Sequence, residues 1–412
     1  MIDNLVEDRP NFVTHLECTK TGEVYPSDTV LGLSSAGYPL FVRYDLESLG
    51  RAVSKTTLMG RNLDLWRYRE FLPVRRLENI VSLGEIMTPL VSAPNTAQAL
   101  GCASLLVKDE SRLPTASFKA RGLCVAVSMA KELGIHAMAM PTAGNAGAAL
   151  AAYCSRAGIK SYVFCPDDAP ETTISEIAFQ GAHLFRVEGN ITELGPIVEN
   201  GKKETGWFNA STLKEPYRVE GKKTMGLELA EQCGWELPDV IIYPTGGGTG
   251  LIGMWKAFAE LEAMGWIGAR RPRMVAVQSE TCAPIVRAFD QGDEHASPWV
   301  GGYTSVPGLR VPATVGDFLI LRALRDSDGF AIAIADSDVE NARLAMARAD
   351  GILLCPETAA TLVAANKAVR DGRISKHERI VLFNCASGLK YPMPPVHAKL
   401  NRHEPINYRE IS

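Results

Sequence analysis

The sequence predicts an α/β protein built on doubly wound, open parallel sheets. Short apolar runs recur from about residue 100 onward without clean alternation, as strands covered on both faces do. Between them lie amphipathic segments that end in glycine, the common helix stop. Strand-then-helix units repeated in this way imply parallel pairing.

Taken in order, the first 85 residues show little of that alternation and read as an N-terminal extension. Strand candidates follow at 104–108, 136–140, 161–165, 184–187, 240–243, 274–278, 331–335 and 380–384. Helix candidates are 118–133 before Gly134, 146–157 before Gly158, 221–233 before Gly234 and 250–264 before Gly265. Ser337 followed by Glu340 matches a capping box and should open a helix from Asp338 to about Ala349. The tail after Lys390 carries Pro392, Pro394 and Pro395 and is expected to wrap the surface.

Composition narrows the function. At ~150 residues per domain, 412 residues allow two or three domains. A net charge of −4 leaves no basic footprint for nucleic acid or for a membrane surface. The opening Met1-Ile2-Asp3-Asn4-Leu5-Val6-Glu7-Asp8 has acids where a signal peptide would be basic. Residues 137–155 are uncharged, but Pro141, Gly144, Asn145 and Gly147 interrupt them, which suits an α/β segment better than a membrane span. The nine cysteines are scattered and include no Cys-x-x-Cys, so they read as reduced, buried thiols of a cytoplasmic protein, with no metal ligand set.

Four segments carry chemistry. In Pro114-Thr115-Ala116-Ser117-Phe118-Lys119-Ala120-Arg121-Gly122, Ser117 is a candidate N-cap, which puts Lys119 in a first helical turn. The positive end of the helix dipole would lower that lysine's pKa, as covalent carbonyl chemistry requires. A solvated lysine near a helix end is the plainer alternative. In Pro141-Thr142-Ala143-Gly144-Asn145-Ala146-Gly147-Ala148, small residues let a flat ligand approach the backbone and leave one amide to bond it; an ordinary strand–helix loop is the alternative. Pro244-Thr245-Gly246-Gly247-Gly248-Thr249-Gly250 lies between a strand and a helix, where converging N–H groups would cradle a phosphate; a plain flexible loop is the alternative. No Gly-Lys-Ser/Thr follows, so it is not a nucleotide P-loop. Asn384-Cys385-Ala386-Ser387-Gly388 ends a strand at the edge where parallel sheets bind ligands, although a buried thiol and a turn serine would also explain it.

In this order and spacing the four segments resemble the tryptophan-synthase-β family of pyridoxal 5′-phosphate (PLP) enzymes, fold type II, over about residues 85–395. The resemblance implies two doubly wound α/β domains: a large cofactor-binding one of residues 86–124 and 216–412, and a small one of residues 125–215, with 1–85 as the extension. By resemblance, Lys119 is the lysine that bonds the cofactor and moves the protons, with Phe118 beside it. Asn145 would hydrogen-bond the cofactor's 3′-oxygen. Gly246, Gly247, Gly248, Thr249 and Gly250 would hold its phosphate, and Cys385 or Ser387, with Cys385 preferred, would face the pyridine nitrogen.

Within the family, the threonine synthases are most similar. Arg218-Val219-Glu220-Gly221-Lys222-Lys223-Thr224 resembles their Arg-x-Glu-Gly-x-Lys-Thr, Cys355-Pro356-Glu357-Thr358-Ala359-Ala360 their Glu-Pro-Ala-rich segment, and Gly388-Leu389-Lys390 their Gly-Leu-Lys. The stretches 16–22, 37–40 and 44–46 are similar to their zinc-ribbon-like start, with only Cys18 left of its thiols. Ser117, Thr142, Ala143, Gly144, Thr212, Arg218 and Glu357 would then contact the substrate, with Arg218 on its phosphate. The implied reaction takes O-phospho-L-homoserine and water to L-threonine and phosphate in a homodimer. Ala120, Ala143, Ala146, Thr212 and Cys385 stand where that group has other residues, and the glycine-rich loop is similar to that of serine/threonine dehydratases. An ammonia-lyase or β-replacement enzyme on a related amino acid is therefore the second expectation.

Overall fold

The computed structural model describes residues 10–393 except 143 and 190, together with 400–403 and 405–406. Thirteen strands appear among the described residues. The first three, β1 (Val13–Cys18), β2 (Val24–Tyr25) and β3 (Leu40–Tyr44), form an antiparallel sheet in the order β2-β1-β3. The N-terminal stretch thus holds a small sheet followed by the short helices Leu46–Ala52 and Lys55–Met59, and it joins the rest through core residues such as Leu49 and Phe71 and through polar contacts. The Tyr44 hydroxyl donates to Glu220 at 2.8 Å, and Arg67 pairs with Glu231 at 2.6 Å. Among the described residues, no cluster of His, Cys, Asp or Glu could hold a metal ion.

The remaining strands are β4 (Leu90–Ser92), β5 (Ser104–Asp109), β6 (Ala137–Pro141), β7 (Lys160–Pro166), β8 (His183–Val187), β9 (Phe208–Asn209), β10 (Val240–Pro244), β11 (Arg273–Ser279), β12 (Phe330–Ile334) and β13 (Arg379–Asn384). They build two open sheets. One has the order β12-β11-β10-β13-β5-β4 and is parallel except for the antiparallel edge pair β4–β5. The other, β8-β7-β6-β9, is parallel throughout. Buried apolar runs such as Val240–Tyr243 and Ile380–Phe383 show why the alternation is missing, since helices cover both faces of these strands.

All eight expected strands are present within two residues of their expected ends. Five strands were not expected: β1, β2 and β3 of the N-terminal sheet, and β4 and β9, which are three and two residues long. The expected helices also stop at their glycines: Gly134, Gly158, Gly234 and Gly265 all have positive φ. Two local expectations fail. The capping box at Ser337 does not form, and the helix Val339–Asp350 starts without a side-chain cap. A 3-10 turn at Asp336–Asp338 precedes it, and Glu340 turns instead to Arg343 at 2.9 Å. The helix expected from 221 starts earlier, at Tyr217–Gln232, so Arg218 lies in its first turn. Of the proline-rich tail, Pro392 is exposed and Pro394 and Pro395 lie outside the described residues. Among the described residues, no helix is long and apolar enough to cross a membrane.

Helix Lys119–Glu132 packs on helices Asn145–Ala157 and Tyr217–Gln232. Its first turn is pinned by a buried ion network. Arg121 binds Glu110 at 2.5 Å and Glu228 at 2.6 Å, and Lys108 of β5 binds Glu228 at 2.7 Å. Arg121 and Lys108 outweigh the effect of burial and hold the Glu228 carboxyl down at about 2.

Candidate active site

A cavity of about 450 Å³ opens at the carboxyl ends of the strands, a size that suits a small ligand. Its wall includes Lys119 and Phe118, the loop before helix Asn145–Ala157, the glycine loop after β10, and the end of β13.

The lysine segment is stitched to the last strand. Phe118 N–H donates to the Cys385 carbonyl at 2.8 Å, Ser387 N–H donates to the Ala116 carbonyl at 2.9 Å, and Ser117 bridges Ala386. Thr115 and Ala116 take left-handed backbone angles, φ 56 and 49, to make this turn. Such strain collects at functional sites. Lys119 opens its helix, with its Nζ 4.1 Å from the centre of the Phe118 ring. Burial, then the nearby Arg218 guanidinium, lower its pKa from 10.5 to about 8.

The expected N-cap role of Ser117 is not realised. Phe118 occupies the cap position, and the Ser117 hydroxyl is fully buried without a partner and away from the cavity lining. The chain takes the β-bridge geometry with Ala386 instead, which leaves no cap bond to make.

The glycine loop runs from β10 into helix Thr249–Ala263, and all five residues 246–250 line the cavity. Gly248 caps the helix with φ +74. A Cβ at Gly246 would lie 2.3 Å from the Gly308 carbonyl oxygen, so two loops touch backbone to backbone here. Helix N-terminal N–H groups beside a glycine cradle suit a phosphate.

Asn145 donates from Nδ2 to the Tyr391 hydroxyl at 3.0 Å, and its Oδ1 is buried without a partner. Glu357 accepts from Gly308 N–H at 2.9 Å through Oε1, and its Oε2 has no partner. The Tyr243 hydroxyl lies beside the Cys385 thiol. Two unpartnered polar atoms on residues lining one cavity imply a polar ligand, since buried polar groups are normally bonded. Burial pushes the Cys385 thiol up to about 12, with neighbouring Lys119 opposing, so it faces the cavity uncharged at neutral pH.

The other expected residues divide. Thr142, Gly144, Thr212 and Glu357 line the cavity. The Thr142 hydroxyl is spent on the loop itself, accepting from Gly144 N–H at 3.0 Å. Ala143 lies outside the described residues. Ser387 and Arg218 do not line the cavity. Ser387 accepts from Leu389 N–H at 3.3 Å. Arg218 is wholly buried, with Nη1 on the Ala210 carbonyl at 2.7 Å.

Sequence reasoning missed Tyr243, Tyr391, Lys214 and Arg310, which also line the cavity. Tyr391 directly follows Gly388-Leu389-Lys390, so that motif could have found it. Arg310 comes from a loop without any motif.

Residues 81–386 match the family described as pyridoxal-phosphate dependent enzymes. The threonine synthase of Methanocaldococcus jannaschii is 34% identical over 390 residues, 94% of this chain and 95% of that one. That of Methanosarcina acetivorans is 32% identical, over 92% of each. Among solved structures, an aspartate racemase has a TM-score of 0.64 at 20% identity over 73% of this chain and 90% of that one. An L-serine ammonia-lyase of Rhizomucor miehei has 0.61 at 21% identity over 73% and 94%. These two likenesses show a shared fold. With the family matched along most of its length, and relatives above 30% identity along nearly all of it, this chain belongs to the pyridoxal-phosphate dependent enzymes as a threonine synthase-like member.

Proposed function

We propose that the protein is a PLP-dependent lyase that converts O-phospho-L-homoserine and water to L-threonine and phosphate. The 34% identity to a threonine synthase over nearly the whole of both chains carries this reading. The site fits the cofactor, since the unpartnered Asn145 and Glu357 atoms and the glycine cradle are what a phosphorylated, polar ring would complete. Lys119 would bond it, residues 246–250 would hold its phosphate, Asn145 would meet its 3′-oxygen, and Cys385 rather than Ser387 would face its ring nitrogen. Bound there, PLP supplies an electron sink for the substrate's α-carbon.

The chain's residues do the remaining work. Lys119 Nζ, poised near pH 8, takes the substrate's Cα proton and then one from Cβ. Phosphate leaves Cγ, a proton is delivered to Cγ, water adds at Cβ, and Lys119 returns the last proton to Cα. Family analogy adds a homodimer in the cytoplasm, which gel filtration and fractionation test.

A second reading, β-elimination from serine or threonine, is favoured by one observation: Arg218 does not line the cavity. Phosphate and threonine release from O-phospho-L-homoserine, assayed beside keto-acid release from serine and threonine, decides. Keto acid without phosphate sinks the first reading.

A further inference from the structure

We infer that Lys214 and Arg310 form the anion-binding end of the cavity, so that its substrate is an α-amino acid whose side chain ends in an acid group. The inference rests on the reading above that the cavity takes an amino acid beside the cofactor. Among the described residues, Lys214 and Arg310 are the only cationic side chains besides Lys119 that line the cavity.

Their backbone setting places them there. Leu213, between Thr212 and Lys214, takes a left-handed φ of 60 and buries its own side chain in the core. Thr212 and Lys214 on either side of it both line the cavity. Arg310 sits in the loop 307–315, which is fastened to the glycine loop where the Thr314 hydroxyl donates to the Gly247 carbonyl at 3.2 Å.

Both cations keep donors in reserve. Arg310 lies over the Tyr303 ring at 3.9 Å and gives Nη1 to Asp168 at 2.8 Å, while its Nε is buried without a partner. Lys214 Nζ is 3.8 Å from Glu199, beyond hydrogen-bond length. Asp168 and Glu199 are themselves about half exposed, so these pairings are weak and an incoming dianion outcompetes them. Arg218, by contrast, is enclosed and away from the cavity lining, with its backbone N–H on the Glu215 carboxylate at 3.1 Å, and its charge acts on Lys119. It is a positioning residue for that amine.

The test uses the holoenzyme, with inorganic phosphate as the probe. Lys214→Met and Arg310→Met should each raise the inhibition constant of phosphate, and the KM of an anionic substrate, by about 10-fold or more. Cofactor absorbance should be kept, and Arg310→Lys should restore part of the loss. Arg218→Met should instead shift the pH midpoint of cofactor capture. Phosphate inhibition within twofold of wild type in both Met variants, or a loss seen only in Arg218→Met, overturns the inference. A variant that loses its cofactor absorbance is replaced by the Gln form.

A substrate panel separates this claim from the reading beneath it. If O-phospho-L-serine or L-aspartate is turned over in a Lys214- and Arg310-dependent way and O-phospho-L-homoserine is not, the threonine synthase reading falls and the inference stands. Turnover confined to serine and threonine overturns the inference.

Discussion

Gly246→Ala tests whether the glycine loop holds the cofactor or only turns the chain. The added Cβ would sit 2.3 Å from the Gly308 carbonyl oxygen and 2.9 Å from Val311 Cγ2. Ordinary contacts lie near ~3.5 Å, so the two loops must part by roughly 1 Å. Overpacking of this kind costs about 1–3 kcal/mol, which lowers Tm by a few degrees. Parting the loops also moves N–H groups away from the phosphate. Losing one charge-assisted bond at ~1.5–3 kcal/mol weakens PLP binding by roughly 10- to 100-fold. Titration of the apoenzyme with PLP, followed by absorbance, reads the affinity, and a thermal melt reads the stability. Gly265→Ala is the control. Its φ is +69 and nothing lies within 4 Å of the added carbon, so it strains a helix end by ~1–2 kcal/mol and should leave PLP affinity alone. Wild-type affinity in Gly246→Ala, or an equal affinity loss in Gly265→Ala, would refute the reasoning.

Cofactor capture by the apoenzyme should accelerate with pH through a midpoint near 8, where Lys119 loses its proton, and borohydride reduction should fix PLP on the Lys119 peptide alone; a midpoint near 10 contradicts the burial argument. Lys222 is wholly buried, lies 4.0 Å from the Phe118 ring centre and donates to the Phe118 carbonyl; burial, then Lys119 and Arg218, lower its pKa well below the usual lysine value. A base with a lowered folded pKa destabilises the fold below its unfolded pKa, and this penalty fades as pH rises to about 10. Lys222→Met should therefore raise Tm at pH 7, by about 1–3 °C, and the gain should vanish near pH 10; a lower Tm at pH 7 counts against it. Glu228→Gln leaves Arg121 and Lys108 short of a charge and should cost about 3–5 kcal/mol at pH 7 in denaturant titrations. The lowered Glu228 pKa contributes stability above pH ~4.5 that is lost as pH falls toward 2, so wild type and variant should converge in acid.

The sequence made the architecture legible because its signals were local and repeated. Each long buried strand announced itself by an apolar run, and each main helix by the glycine that stops it. The strands β4 and β9 were invisible because two or three residues carry no period, and β1 and β3 because a lone antiparallel sheet lacks the strand-then-helix repeat that marked the others. Ser337 and Ser117 had the right residue types for helix caps, but tertiary partners took over. Asp336, just before the helix, instead gathers Ser279, Thr304 and Ser305 N–H around its carboxylate. The chemical segments were legible for the same reason as the strands: glycine loops and a lysine after a turn are contiguous. Lys214 and Arg310 were not, because each meets the cavity only after separate loops fold against the glycine cradle.

The stitch between Ala116–Phe118 and Cys385–Ser387 joins segments some 270 residues apart. A ribosome releases the lysine segment long before it makes the strand that holds it. The growing chain therefore carries Lys119 without the backbone that presents it, and the helix it heads must wait for the final strand to slot between β10 and β5. Cofactor capture at Lys119 should therefore require the finished sheet, and a chain ended before β13 is expected to stay colourless with PLP.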